Sequence, residues 1–201
     1  MRTDDTRDDD PVAAALTEGS AYERLRVQRV SVFPWSLAEK LQRLGVVLFA
    51  FGVAVGVFAF VSPDGMNILV DPGTVPTYTS LVALTALAML ALVALVLSIL
   101  GVLREHSDSL SDERAETILV VEELCALTGF VTGGTTAAIA VGFCLVPYAG
   151  PEAVSWLVTT LERSPYAAVE TAYPILPATL TPAALLLGAV CLLAGRRWQT
   201  Q

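Results

Sequence analysis

Residues 80–103 read SLVALTALAMLALVALVLSILGVL, 24 residues with no Asp, Glu, Lys, Arg or His. At about 1.5 Å per residue, a helix of that length runs about 36 Å, enough to cross a hydrocarbon layer of about 30 Å. Three more stretches share this character: residues 44–61 (LGVVLFAFGVAVGVFAFV), 124–146 (LCALTGFVTGGTTAAIAVGFCLV) and 175–195 (ILPATLTPAALLLGAVCLLAG). Lipid offers the backbone no hydrogen-bond partner, so an open chain crosses it as helix. The competing explanation is four buried helices in a soluble protein. It needs polar chain to cover them, yet only 16% of the 201 residues are charged, against about 25% in ordinary soluble domains. The sequence therefore predicts an all-α integral membrane protein, a bundle of four transmembrane helices.

Outward from the four stretches, the basic residues set the orientation. Arg2, Arg7, Arg24, Arg26, Arg29, Lys40 and Arg43 precede the first stretch, Arg104 and Arg114 separate the second from the third, and Arg196 and Arg197 follow the fourth. The opposite side, residues 62–79 and 147–174, carries only Arg163. The positive-inside rule then predicts a cell-membrane protein with both termini cytoplasmic. Three regions follow. Residues 1–35 form a cytoplasmic N-terminal segment, partly disordered because MRTDDTRDDD is charged and apolar-poor. Residues 36–195 form the membrane domain, and residues 196–201 a cytoplasmic tail. The start lacks the apolar core of a cleavable signal, so the first stretch is expected to stay as an uncleaved span.

Net charge is −8, which disfavours nucleic acid as a partner because phosphate binding needs a positive face. Eleven of the 12 basic residues are Arg, and Lys40 is the sole Lys. With its Asp runs and abundant Ala, Val and Thr, the acidic composition resembles that of proteins from salt-loving archaea.

Local signals sharpen the boundaries. Ser36-Leu37-Ala38-Glu39 has the form of a capping box, so a helix should start near Leu37. Trp35 stands where an interfacial anchor belongs. Asp112, Glu113 and Glu116 suit the positive start of a helix, so the third should begin near Asp112. Turn signals at Pro63-Asp64-Gly65 and Asp71-Pro72-Gly73 predict a hairpin-like loop. Pro151 follows Gly150 as a first helical residue does, and Val154, Leu157, Val158 and Leu161 recur at helical spacing. Residues 151–163 are thus expected as an extra amphipathic helix on the outer membrane surface or over the bundle mouth, with Trp156, Tyr148, Tyr166 and Tyr173 in an aromatic belt. Pro177 and Pro182 are expected to kink the fourth helix near its outer end.

The candidate packing residues are small. They are Gly52 and Gly56 on the first helix, Gly129, Gly133 and Ala137 on the third, and Ala184, Gly188 and Gly195 on the fourth. Small faces let helices approach closely in lipid. On that ground the third and fourth helices are expected to pair as an antiparallel hairpin. That pairing would bring Glu122 or Glu123 to Arg196 or Arg197 as interfacial ion pairs, with Cys125 and Cys191 at similar depth. Thr128, Thr132, Thr135 and Thr136 cluster beside Gly133-Gly134. They either line a polar path or bond their own helix carbonyls, and the second is favoured. The basic residues near the first helix, Lys40 among them, are explained by topology alone. His106 is expected to be a solvated loop residue, and the three cysteines small apolar fillers.

The single His leaves no multi-His metal site, and no span holds a Lys for a retinal or a carboxylate for proton coupling. Nucleotide-loop, zinc-protease and serine-hydrolase motifs are not found. No catalytic residue, cofactor or metal is assigned, and the chain is not expected to be an enzyme. The expected function is a non-catalytic multi-pass membrane protein with an interaction, assembly or accessory role. Its partners would be the lipid bilayer and a membrane protein or a second copy. A passive pore or small-solute transporter and a membrane sensor are the alternatives.

Overall fold

The computed structural model of the chain describes residues 35–61, 75–105, 112–171 and 175–199. The acidic start, the paired turns before residue 75, His106 and Tyr173 lie outside the described residues. The described residues are helical, with one isolated antiparallel bridge between Thr77 and Ala168. The elements are α1 (Leu37–Phe60), α2 (Tyr78–Glu105), α3 (Asp112–Leu127), a π turn (Thr128–Gly133), α4 (Gly134–Leu145), a 3-10 turn (Val146–Ala149), α5 (Pro151–Leu161) and α6 (Pro177–Gln199). Among them are four helices long and apolar enough to cross a membrane: α1, α2, the α3–π–α4 run over Glu116–Ala149, and α6. The fold is a helical bundle of the transmembrane type.

The capping box is present. The Glu39 amide donates to Ser36 Oγ at 3.2 Å, and the Ser36 amide donates to Glu39 Oε2 at 2.7 Å. That fixes the start of α1 at Leu37. Pro151 opens α5 after Gly150, whose φ of 105° only glycine adopts without strain. Pro177 is the first residue of α6, where its missing N–H has no helical partner to lose, and Pro182 lies inside that helix.

The core stripe of α1 is Leu37, Leu41, Leu44, Leu48, Phe51, Val55 and Phe58. It packs with Ala83, Ala86, Leu90, Val93 and Leu97 of α2 and with Ala137, Ala140 and Cys144 of α4. Outside, the helices present large apolar side chains such as Phe49 and Val53 of α1, Leu92 and Leu95 of α2, and Leu186 and Val190 of α6. An apolar exterior around an apolar core is what lipid requires.

Which helices are neighbours differs from expectation. The fourth membrane helix, α6, runs antiparallel along α1, and the third lies against α2 and α1. The hairpin expected of the third and fourth helices is replaced by these two pairings. The reason lies in what each small residue receives. A methyl group at Gly52 would stand 3.1 Å from Ala184 Cβ, and one at Gly56 would stand 2.9 Å from Thr181 Cγ2. Gly188 and Gly195 close on the backbone of α1 at Gly45 and Ala38. Gly129 and Gly133 receive Val93 and Leu90 of α2, large side chains fitting holes rather than a second small face. Ala137 and Ala184 are buried in the same core.

The pairings give the bundle two ends. The terminal end holds the start of α1 and the end of α6, linked by a 3.2 Å hydrogen bond from Gln199 Nε2 to Gln42 Oε1. Trp198 covers Gly101 there. The loop end holds the end of α1, the start of α2, the 3-10 turn and α5.

Candidate functional site

The one charged pair buried among the described residues lies near the terminal end. Lys40 sits in the first turn of α1, with Leu37, Leu41 and Leu44 on the same inward side. Its exposure is 4%. Glu122 sits on α3, one turn before the fully buried Ala126, and is 3% exposed. Lys40 Nζ donates to Glu122 Oε1 at 2.6 Å, across 82 residues of sequence. Two buried charges are tolerated where each is the other's partner; removing one alone strands the other.

Aromatic contacts extend the junction. The Arg43 guanidinium lies 3.7 Å from the Trp35 ring centroid. Trp35 in turn meets Phe130 edge-on at 5.5 Å. Phe130 belongs to the π turn, so Trp35, two residues before α1, is tied to the middle of the third span. In that turn the Gly134 amide donates to Gly129 O, an i→i−5 bond that holds one residue more than an α-helical turn. Three glycines and β-branched Thr128, Val131 and Thr132 explain why an α-helix is weak there.

At the loop end, hydroxyls do the joining. The Tyr166 hydroxyl donates to Phe143 O at 2.9 Å, and the Tyr148 hydroxyl bridges Val57 O and Val61 O. The second contact lies at the end of α1, where Val57 O also accepts from the Val61 amide at 2.8 Å. Thr79 Oγ1 donates to Pro165 O at 3.0 Å, and Thr77 and Ser80 bond each other. Tyr166 is 2% exposed, with its ring beside Phe58. Burial first, and then neighbouring Cys144, push its hydroxyl well above the ordinary tyrosine range. Tyr166 is therefore a core residue and not part of an aromatic belt. On α5, Val154 and Leu157 face the core, while Trp156 points the other way and is 66% exposed.

Glu122 meets a partner outside the expected set. The partner of Glu122 is Lys40, while Arg196 and Arg197 are exposed at the end of α6 and Glu123 is half-buried. The threonine cluster is turned outward: Thr128, Thr132 and Thr135 are exposed on the bundle's exterior, and Thr136 bonds its own helix at Thr132 O.

Lys40 was missed as a site residue because its charge had a sufficient explanation in topology. The overlooked signal is its register: Lys40 lies one turn before Leu44 on the inward stripe. Glu122 carries a similar signal, since 122, 126, 129, 133, 137, 140 and 144 repeat at three and four residues and all are buried. Among the described residues no group of three or more His, Cys, Asp or Glu side chains is placed to hold a metal ion. In comparison with known proteins, no family model, no curated protein and no solved structure matches the chain.

Proposed function

We propose that the chain is a four-span cell-membrane protein with both ends on the cytoplasmic side and a non-catalytic role in interaction or assembly. The observation that carries the reading is where the buried polar groups point. Lys40 meets Glu122, Tyr166 meets a backbone carbonyl, and Thr77, Thr79 and Ser80 tie α2 to itself and to Pro165. Among the described residues every buried side-chain N or O atom has a partner. These groups join helix to helix, as a scaffold requires. The 11-to-1 basic asymmetry supports the orientation, and the shared end of α1 and α6 fits it. α5 lies on the outer face in this reading, with Trp156 directed away from the bundle.

Reconstitution into sealed vesicles tests it. The expected result is solute and proton leakage equal to that of empty vesicles. Selective flux that disappears in Glu122→Gln would replace the scaffold with a transporter.

A sensor is the second reading, favoured by one connection. The third span joins α5 through the 3-10 turn and meets Trp35, at the end of the N-terminal segment, through Phe130. A change at α5 has a route along the third span to that segment.

A further inference from the structure

We propose that the third span has two registers, selected by the π turn: one places Glu122 on Lys40, and the other, fully α-helical, places Glu123 there. This goes beyond the scaffold reading and does not depend on it.

The argument starts from the extra residue in Thr128–Gly133. Converting that turn to α-helix lengthens the span by about 1.5 Å and rotates one half against the other by about 100°. The α4 half is the better held. Ala137, Ala140 and Cys144 are buried in the core, and Phe143 O accepts from Tyr166. The α3 half buries only Glu122 and Ala126 among its described side chains, so it is the half that turns. When it turns, each of its residues moves into the slot of its predecessor. Glu123 then arrives where Glu122 was.

The sequence around the slot suits such a change. Two glutamates stand side by side, so Lys40 keeps a carboxylate partner in either register. A slip that placed an apolar residue opposite a buried ammonium would strand the charge. Two glycines in the turn and a third directly after it lower the stability of both backbone forms and bring them closer together. The packing decides which register dominates. Ala126 is fully buried, and the slip would put the larger Leu127 into its slot. The observed π register is therefore the major one, and the α register a minor state of the kind populated at roughly a tenth or less. π turns recur at functional positions in helices.

Disulfide trapping on the full chain in lipid vesicles tests this. Cys125, Cys144 and Cys191 are first replaced by Ala. The pairs Lys40→Cys/Glu122→Cys and Lys40→Cys/Glu123→Cys are then oxidised mildly, each with and without deletion of Thr132. With the turn intact, the Glu122 pair should cross-link about tenfold faster than the Glu123 pair, in line with a minor register of that size, and the slower pair should still reach completion. Deletion of Thr132 removes the extra residue, makes the span α-helical without moving either half, and should therefore lock Glu122 on Lys40 and abolish the Glu123 cross-link. Two results would overturn the proposal: no cross-link in the Glu123 pair of the intact chain, or a Glu123 cross-link that survives the deletion. If the deletion variant does not fold, the intact Glu123 pair decides alone, backed by hydrogen exchange of residues 127–134. Exchange there no faster than in the middle of α2 would also overturn it.

Discussion

The backbone of Gly188 lies directly on that of Gly45: a methyl group at Gly188 would stand 3.0 Å from the Gly45 carbonyl oxygen and 3.0 Å from the Phe49 nitrogen. Backbone cannot swing aside as a side chain can. The α1–α6 contact therefore tolerates nothing larger than hydrogen at this point. Gly188→Ala should lower stability by about 1–3 kcal/mol, the range of overpacking in a filled core. Gly142 is the control, since a methyl group there meets nothing within 4 Å. Gly142→Ala should be neutral or stabilising by up to about 1 kcal/mol, the helix-propensity difference. Unfolding in detergent at equilibrium compares the two.

Tyr166→Phe removes one buried hydrogen bond, leaving Phe143 O without that donor. The expected loss is about 0.5–1.5 kcal/mol. The hydroxyl also makes stability depend on pH. Its folded pKa is raised by burial, so the folded state holds the proton more tightly than the unfolded one. This contribution is whole below the unfolded value of about 10 and falls as pH rises through the folded value. Alkaline titration of the folded protein should form the Tyr166 phenolate only well above the ordinary tyrosine range. The Tyr166→Phe variant should lose stability less steeply above that pH than the parent. An equal slope would contradict the burial argument.

Topology has its own check. Labelling of single cysteines at Arg163 and Gln199 in sealed vesicles should reach opposite faces, Gln199 from the cytoplasmic side. Labelling of both from one side would contradict the four-span orientation.

Ser36→Ala breaks the capping box at the start of α1. It should cost about 1 kcal/mol and loosen the turn that carries Lys40. Hydrogen exchange over residues 37–41 should rise, with little change in α2.

Helix existence and several starts were legible because they rest on local chemistry. Length and apolarity marked the four spans, Ser36 with Glu39 marked the start of α1, and Gly150-Pro151 marked α5. Helix partners were not legible in the same way. The stripe of Gly129 and Gly133 is compatible with another small face or with large side chains such as Val93 and Leu90, and only three-dimensional shape chooses. The π turn was half visible. Glycines at 129, 133 and 134 signal a weak helix, but nothing local counts the residues in its turn. Lys40 and Glu122 were visible as positions on inward stripes and hidden by their charge.

The central claim is that Lys40 and Glu122 form one unit holding the third span to the first. A double-mutant cycle with Lys40→Met and Glu122→Gln, read by unfolding of the full chain in detergent, tests it most directly. Each single change leaves the other group buried without its partner and should cost about 3–5 kcal/mol. The double variant should be no worse than either single one, a coupling of about 3 kcal/mol or more. Single losses under about 1 kcal/mol that simply add, as for exposed pairs, would contradict the account.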